Sequence, residues 1–237
     1  MLMNGEKQEK KLFSVLGDSI STLEGYSEPF EAAFYSGITR VKTDVIAPGD
    51  TWWWRVIEHF GGELLVNNSI SGSMVIKHKS CEIPSYGCSD ERTSSLSRDG
   101  RIPDVIMVFL GINDWGCGVP PRPEYDTDKD NPAVFSVAYD LMLEKLRLNY
   151  PDSEIWCLTL PVSKCSAKEG FTFPYRYYGR HIEEFSGVIR ESAGKHGCRL
   201  IDVYRPEKPH DTLEGFHPNN DGMITLAESV IELAEQK

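Results

Sequence analysis

Five apolar runs of strand length, at residues 12–16, 63–67, 104–110, 154–160 and 199–203, alternate with segments of helical periodicity. Parallel strands need long crossovers, and a helical crossover lies flat against the sheet, so this alternation predicts a parallel sheet with helices on both faces. Most of the runs are too continuously apolar to leave one face in water. The expected fold class is therefore α/β, built on a five-stranded parallel sheet.

The helices show as apolar stripes at i, i+3, i+4 and i+7. Trp53, Val56, Ile57 and Phe60 form one, with Asp50 or Thr51 as its N-cap. Phe135, Ala138, Tyr139, Met142 and Leu146 form a second, which Asn149-Tyr150-Pro151 ends. Ile182, Phe185, Ile189 and Ala193 form a third, and Met223, Leu226, Ala227, Val230 and Ala234 a fourth. No repeat or biased segment interrupts this order. The 237 residues suit one core, so a single domain over 1–237 is expected, with 1–10 a flexible N-terminal extension.

A formal net charge of -11 and the lack of any Lys/Arg-rich run give no footprint for a phosphate backbone, which argues against a nucleic-acid partner. No stretch approaches the roughly 20 apolar residues of a membrane span. The opening MLMNGEKQEKK is charged rather than an apolar signal core, so a cytoplasmic location is expected. The six cysteines show neither CxxC pairs nor Cys/His spacing suited to zinc, so no thiolate metal site is expected. Cys157 and Cys198 fall in apolar runs and read as small buried hydrophobes. Cys81 and Cys88 lie in a polar loop and could pair only in an oxidising compartment.

Three long loops, at 20–50, 71–102 and 112–132, each follow a strand. Ligands of open α/β sheets bind beyond the carboxyl ends of the strands, so chemistry belongs there. The first strand runs into Gly17-Asp18-Ser19-Ile20-Ser21, which places a serine hydroxyl at such an end. The second runs into Asn67-Asn68-Ser69-Ile70-Ser71-Gly72 and the third into Gly111-Ile112-Asn113-Asp114. A glycine there permits close backbone approach and an N–H donor, and an Asn side chain donates without bringing charge. After the fifth strand comes Glu214-Gly215-Phe216-His217-Pro218-Asn219, a base with an acid close by. Each element alone is explained by turn and cap chemistry. Together, Ser, Gly, Asn and His follow four different strands in a fixed order.

That combination resembles the SGNH hydrolase family, the GDSL esterases and lipases, with Ser19, Gly72, Asn113 and His217 matching its four block residues. The resemblance spans residues 12 to about 234. It implies a flavodoxin-like three-layer α/β/α sandwich, Ser19 as nucleophile, His217 as general base, and an oxyanion hole made from the Ser19 and Gly72 N–H groups and the Asn113 side chain. No GxSxG elbow occurs in the chain, which disfavours the common α/β-hydrolase arrangement. The family places Asp three residues before the histidine, whereas this chain has Glu214. Glu214 is the expected third member, with Asp211 or a backbone carbonyl as the alternatives. Asp18 and Asp114 read as turn-holding residues outside the catalytic set. Trp115 either lines a substrate pocket or packs its loop, and Trp52 and Trp54 read as helix flank packing.

The expected reaction is acyl transfer through an acyl-serine, with no cofactor. The polar loop 77–101 and nearby Tyr and Trp favour short acyl groups, such as acetyl on carbohydrate, as the small-molecule substrate. A lysophospholipase or thioesterase is the alternative within the enzyme class, and an inactive ligand-binding module the alternative outside it. An FMN carrier is disfavoured, because Asp18 would repel a phosphate.

Overall fold

Strand β1 (Leu12–Gly17) lies in the interior of a parallel sheet, between β2 (Glu63–Ser69) and β3 (Val105–Phe109). β4 (Glu154–Leu158) and β8 (Arg199–Ile201) complete the five-stranded order β2-β1-β3-β4-β8. The computed structural model describes residues 10–27, 33–77 and 86–236. The chain first builds outward from β1 to β2 and then returns to place β3 on β1's other side. The carboxyl ends of β1 and β3 therefore border a topological switch point, where the flanking connections diverge and leave a crevice. Register brings the ends level, since Gly17 pairs with Ser69 on one side and with Phe109 on the other.

Side chains alternate across the sheet because successive residues of a strand point to opposite faces. Phe13, Val15, Val105, Met107, Phe109 and Trp156 pack against α2 (Trp52–His59) and α7 (Asn220–Glu235). Leu16, Ile106, Val108, Ile155 and Cys157 pack against α5 (Phe135–Asn149) and α6 (Ile182–Lys195). These two cores are the outer seams of a three-layer sandwich, as expected. Full burial of each such side chain contributes about 1.5–3 kcal/mol, so the seams dominate what holds the layers together. Thr51 is the N-cap of α2, accepting from the Trp54 N–H at 3.3 Å, while Asp50 instead accepts from Ile46 and Ala47.

The long loops hold more structure than their sequences indicate. The first contains α1 (Gly37–Thr43), the second α3 (Asp90–Ser94), and the third opens with α4 (Ile112–Gly116). Two small pairings lie outside the main sheet. β5 (Ser163–Lys164) runs parallel to β9 (His210–Asp211), and β6 (Arg176–Tyr177) forms a hairpin with β7 (Arg180–His181). Cys157 is buried and Cys198 half-buried. Cys81, and with it the Cys81–Cys88 pairing, lies outside the described residues, as do residues 1–9 of the expected N-terminal extension. No helix among the described residues is long and apolar enough to cross a membrane.

Candidate active site

Gly17 ends β1 where a Cβ would sit 2.7 Å from both Ser69 Oγ and Ser21 Cβ, so only glycine lets the strand turn here. The turn that follows is a single 3₁₀ turn, Ser19–Ser21, capped by Asp18, whose carboxylate accepts from the Ile20 N–H at 3.0 Å. This fixes Ser19 at the strand's mouth. The Ser19 Oγ lies 2.9 Å from His217 Nε2, although 198 residues separate them.

His217 is held on several sides. Its Nδ1 hydrogen-bonds to Glu214 Oε1, which also accepts from the His217 backbone N–H at 3.3 Å. A carboxylate can only accept, so Nδ1 carries the hydrogen, and in the neutral ring Nε2 is left to accept the Ser19 proton. The Phe34 ring stacks on the imidazole, with centroids 3.5 Å apart and planes within 8°. The neighbouring Tyr35 hydroxyl donates to the Pro218 carbonyl at 2.8 Å, and the Leu213 N–H to the His217 carbonyl at 2.9 Å. Nothing in the sequence pattern points to Phe34, because a long-range stack from a loop leaves no periodicity to read.

Of the alternative partners for His217, Asp211 is engaged elsewhere. Its carboxylate accepts from the Ser166 N–H at 3.0 Å and the Thr212 N–H at 2.9 Å, and the Ser166 hydroxyl bonds it as well. Burial works to raise this carboxyl, but the Ser166 and Thr212 hydrogen bonds outweigh it and hold it below the usual range. Its stabilising contribution is thus present above the ordinary carboxylate range and lost as pH falls through the lowered value. Glu214→Gln should lower kcat roughly 10- to 100-fold, less than for a buried triad acid because Glu214 is half exposed. Asp211→Asn should leave kcat nearly unchanged and cost about 1–3 kcal/mol of stability. Steady-state kinetics and thermal melts of the two variants check this, and the reverse pattern would reassign the acid.

Asn113 projects from α4, and its Nδ2 donates to the Ser73 carbonyl at 2.9 Å. An NH2 group has two hydrogens, so one remains for a ligand. Asp114 accepts from the Val75 N–H at 2.9 Å and the Ile76 N–H at 3.2 Å. The two residues stitch α4 to the segment that follows β2. Gly72, in that segment, adopts φ 75°, the left-handed region that glycine enters without strain. Burial pushes the carboxyls of Asp18 and Asp114 up to about 7, against their backbone hydrogen bonds. Asp18 holds its own turn, as the sequence led one to expect, whereas Asp114 acts at long range on the Val75-Ile76 backbone.

A cavity of about 320 Å³ is lined by Ser19, Ile20, Ile112, Asn113, Tyr177, Phe216 and His217 together with Gly116 and Cys117, whereas Gly72 and Glu214 are not among its lining residues. A larger cleft of about 590 Å³ runs along the edge strand β2 beside Tyr26 and Trp54 and contains none of the four block residues. Trp115 does not line the cavity. It is fully buried, its Nε1 donates to the Arg180 carbonyl at 3.1 Å, and its ring meets Phe173 and, edge-on, Tyr177. The packing alternative holds for Trp115, and the aromatic wall is made by Tyr177 and Phe216, whose centroids are 6.0 Å apart. Trp52 is likewise fully buried and donates to Ser21 Oγ at 3.2 Å, while Trp54 is half-buried.

The model of the GDSL-like Lipase/Acylhydrolase family matches residues 11–170, more than half of the chain. The chain belongs to this family. The match takes in Ser19, Gly72 and Asn113, and His217 joins them through the geometry above. Among solved structures, one described as a GDSL-like lipase from Bacteroides ovatus is 26% identical with a TM-score of 0.71, covering 97% of this chain and 100% of that one. Another GDSL-like lipase structure, from Bacteroides uniformis, is 28% identical with a TM-score of 0.70, covering 95% of each chain. A family two carbohydrate esterase from Clostridium thermocellum shares the fold at 14% identity and a TM-score of 0.59, covering 98% of this chain and 65% of that one. No curated protein matches. This member of the GDSL-like lipase/acylhydrolase family is an ester-hydrolysing enzyme.

Proposed function

We propose that the enzyme is a serine esterase that removes short acyl groups, such as acetyl, from carbohydrate. The observation that carries the mechanism is the 2.9 Å approach of Ser19 Oγ to His217 Nε2, with Glu214 on the opposite ring nitrogen. Ser19 Oγ attacks the ester carbonyl carbon while its proton passes to Nε2. The Glu214 carboxylate stabilises the imidazolium so formed, and the Ser19 N–H, Gly72 N–H and Asn113 Nδ2 receive the developing oxyanion. As the intermediate collapses, the bond to the alcohol oxygen breaks and His217 returns the proton to it. Water, deprotonated by His217, then attacks the acyl-serine, releasing the carboxylic acid and regenerating Ser19.

The short acyl group is supported by the cavity, which at about 320 Å³ is near the small end of ligand sites and is walled by Tyr177, Phe216, Ile20 and Ile112. Aromatic faces beside polar groups suit a sugar ring, and the fold is shared with a carbohydrate esterase. p-Nitrophenyl esters of graded chain length test the acyl preference, and acetylated oligosaccharides test the alcohol. Highest kcat/KM on acetate, with acetate released from the sugar, is expected. A preference for chains beyond about eight carbons would replace this reading with a lysophospholipase or thioesterase.

A further inference from the structure

Arg92 sits in the five-residue helix α3, behind Ser89 as N-cap, and is 1% exposed. Its direct hydrogen-bond acceptors are neutral. Nη1 donates to Ser73 Oγ at 2.7 Å, and Nη2 donates to the carbonyls of Gly17 at 2.9 Å and Asn68 at 2.8 Å. Among the described residues no carboxylate lies within ion-pair distance, although burial, opposed by the more distant Asp18, lowers the guanidinium only to about 10. Burying a cation without direct countercharge is costly, and packing alone could be had from an apolar side chain.

What the guanidinium gains is convergence. Gly17 leads directly into Asp18-Ser19, Asn68 stands near the end of β2 before the turn to Gly72, and Ser73 follows Gly72. The Ser73 carbonyl in turn accepts from Asn113 Nδ2. One rigid fork thus grips, or reaches through a single residue, each of the three segments that carry oxyanion donors on the reading above. Lysine, with a single nitrogen, cannot reproduce that spread. We infer that Arg92 is the positioning residue of the oxyanion site, setting the distance between the Ser19 turn, the Gly72 turn and Asn113 without touching substrate. The inference rests on the proposed serine mechanism. Donors aimed at a transition state must be held to within about half an ångström, and a misplacement of about 1 Å costs on the order of 100-fold in rate.

The test compares p-nitrophenyl acetate with its thiono counterpart, in which sulfur replaces the carbonyl oxygen. Sulfur is a weak acceptor, so an intact oxyanion site favours the oxo ester strongly. In Arg92→Lys, kcat on the oxo ester should fall roughly 10- to 100-fold with KM little changed, while the thiono ester loses much less. The oxo/thiono ratio therefore falls, as it does in an Asn113→Ala control. Equal losses on both esters, with the ratio unchanged, would reduce Arg92 to a structural role and overturn the inference. If Arg92→Lys fails to fold by circular dichroism, Ser73→Ala decides, since it removes the Nη1 acceptor and leaves the Ser73 carbonyl in place. A lowered ratio there supports the inference, and an unchanged one overturns it. Ser19 that resists a fluorophosphonate in the wild-type enzyme, or a wild type indifferent to the two esters, would instead defeat the catalytic reading itself.

Discussion

Ser19→Ala should abolish esterase activity, lowering kcat by on the order of 10⁴- to 10⁶-fold, while the protein stays folded. The two halves of that expectation have separate causes. The Ser19 side chain is buried at a strand end, and its Oγ pairs with His217 Nε2, so alanine removes the proposed nucleophile and about 0.5–1.5 kcal/mol of one hydrogen bond. The 3₁₀ turn is held by backbone bonds and by Asp18, which the substitution leaves alone. Hydrolysis of p-nitrophenyl acetate and a thermal melt measure both halves. Retention of more than about one per cent of turnover would remove Ser19 from the chemistry.

Asn113→Ala is expected to cost about 2.7–4 kcal/mol of transition-state stabilisation, a 10²- to 10³-fold loss in kcat with KM little changed. The Nδ2 group has a structural duty on Ser73 and a free hydrogen toward the cavity, so alanine loses both. Asn113→Asp keeps the size but sets a carboxylate against the Ser73 carbonyl and the developing negative charge, and should be worse than alanine. A loss below about tenfold for alanine would count against the role. A loss for aspartate no larger than for alanine would mean that negative charge does not develop beside residue 113.

The sheet was legible because buried parallel strands must be continuously apolar, and the four long helices because their stripes exceed two turns. α1, α3 and α4 were not, since five to seven residues are too few to show a period. Order along the chain pointed to Ser19 and His217 because each follows a different strand, and a parallel sheet gathers such ends on one edge. Trp115 stands two residues after Asn113 in sequence, yet positions i and i+2 on a helix face different ways, and its indole turns inward. Arg92 looked like part of a polar loop. Arginine is rarely buried, and only the fold reveals the three acceptors that make its burial tolerable. The choice between Glu214 and Asp211 rested on loop geometry, in which Ser166 and Thr212 take up Asp211 and leave Glu214 facing the ring.

Tyr177 reaches the cavity from a hairpin that takes no part in the five-stranded sheet, with Tyr178 and Gly179 at its tip, both at positive φ. The hairpin shares no ladder with the five strands and makes none of the hydrogen bonds that hold the Ser19 turn, and its hydrogen bond to α4 runs through the Arg180 carbonyl in β7 rather than through its tip. Lengthening it, or grafting one from a relative, should therefore retune which acyl group is accepted while the reacting atoms stay where they are. Only the Tyr177 wall of the cavity comes from a distant part of the chain, since Ile20, Ile112 and Phe216 adjoin Ser19, Asn113 and His217 in sequence, so selection can revise that one wall more freely than the other three.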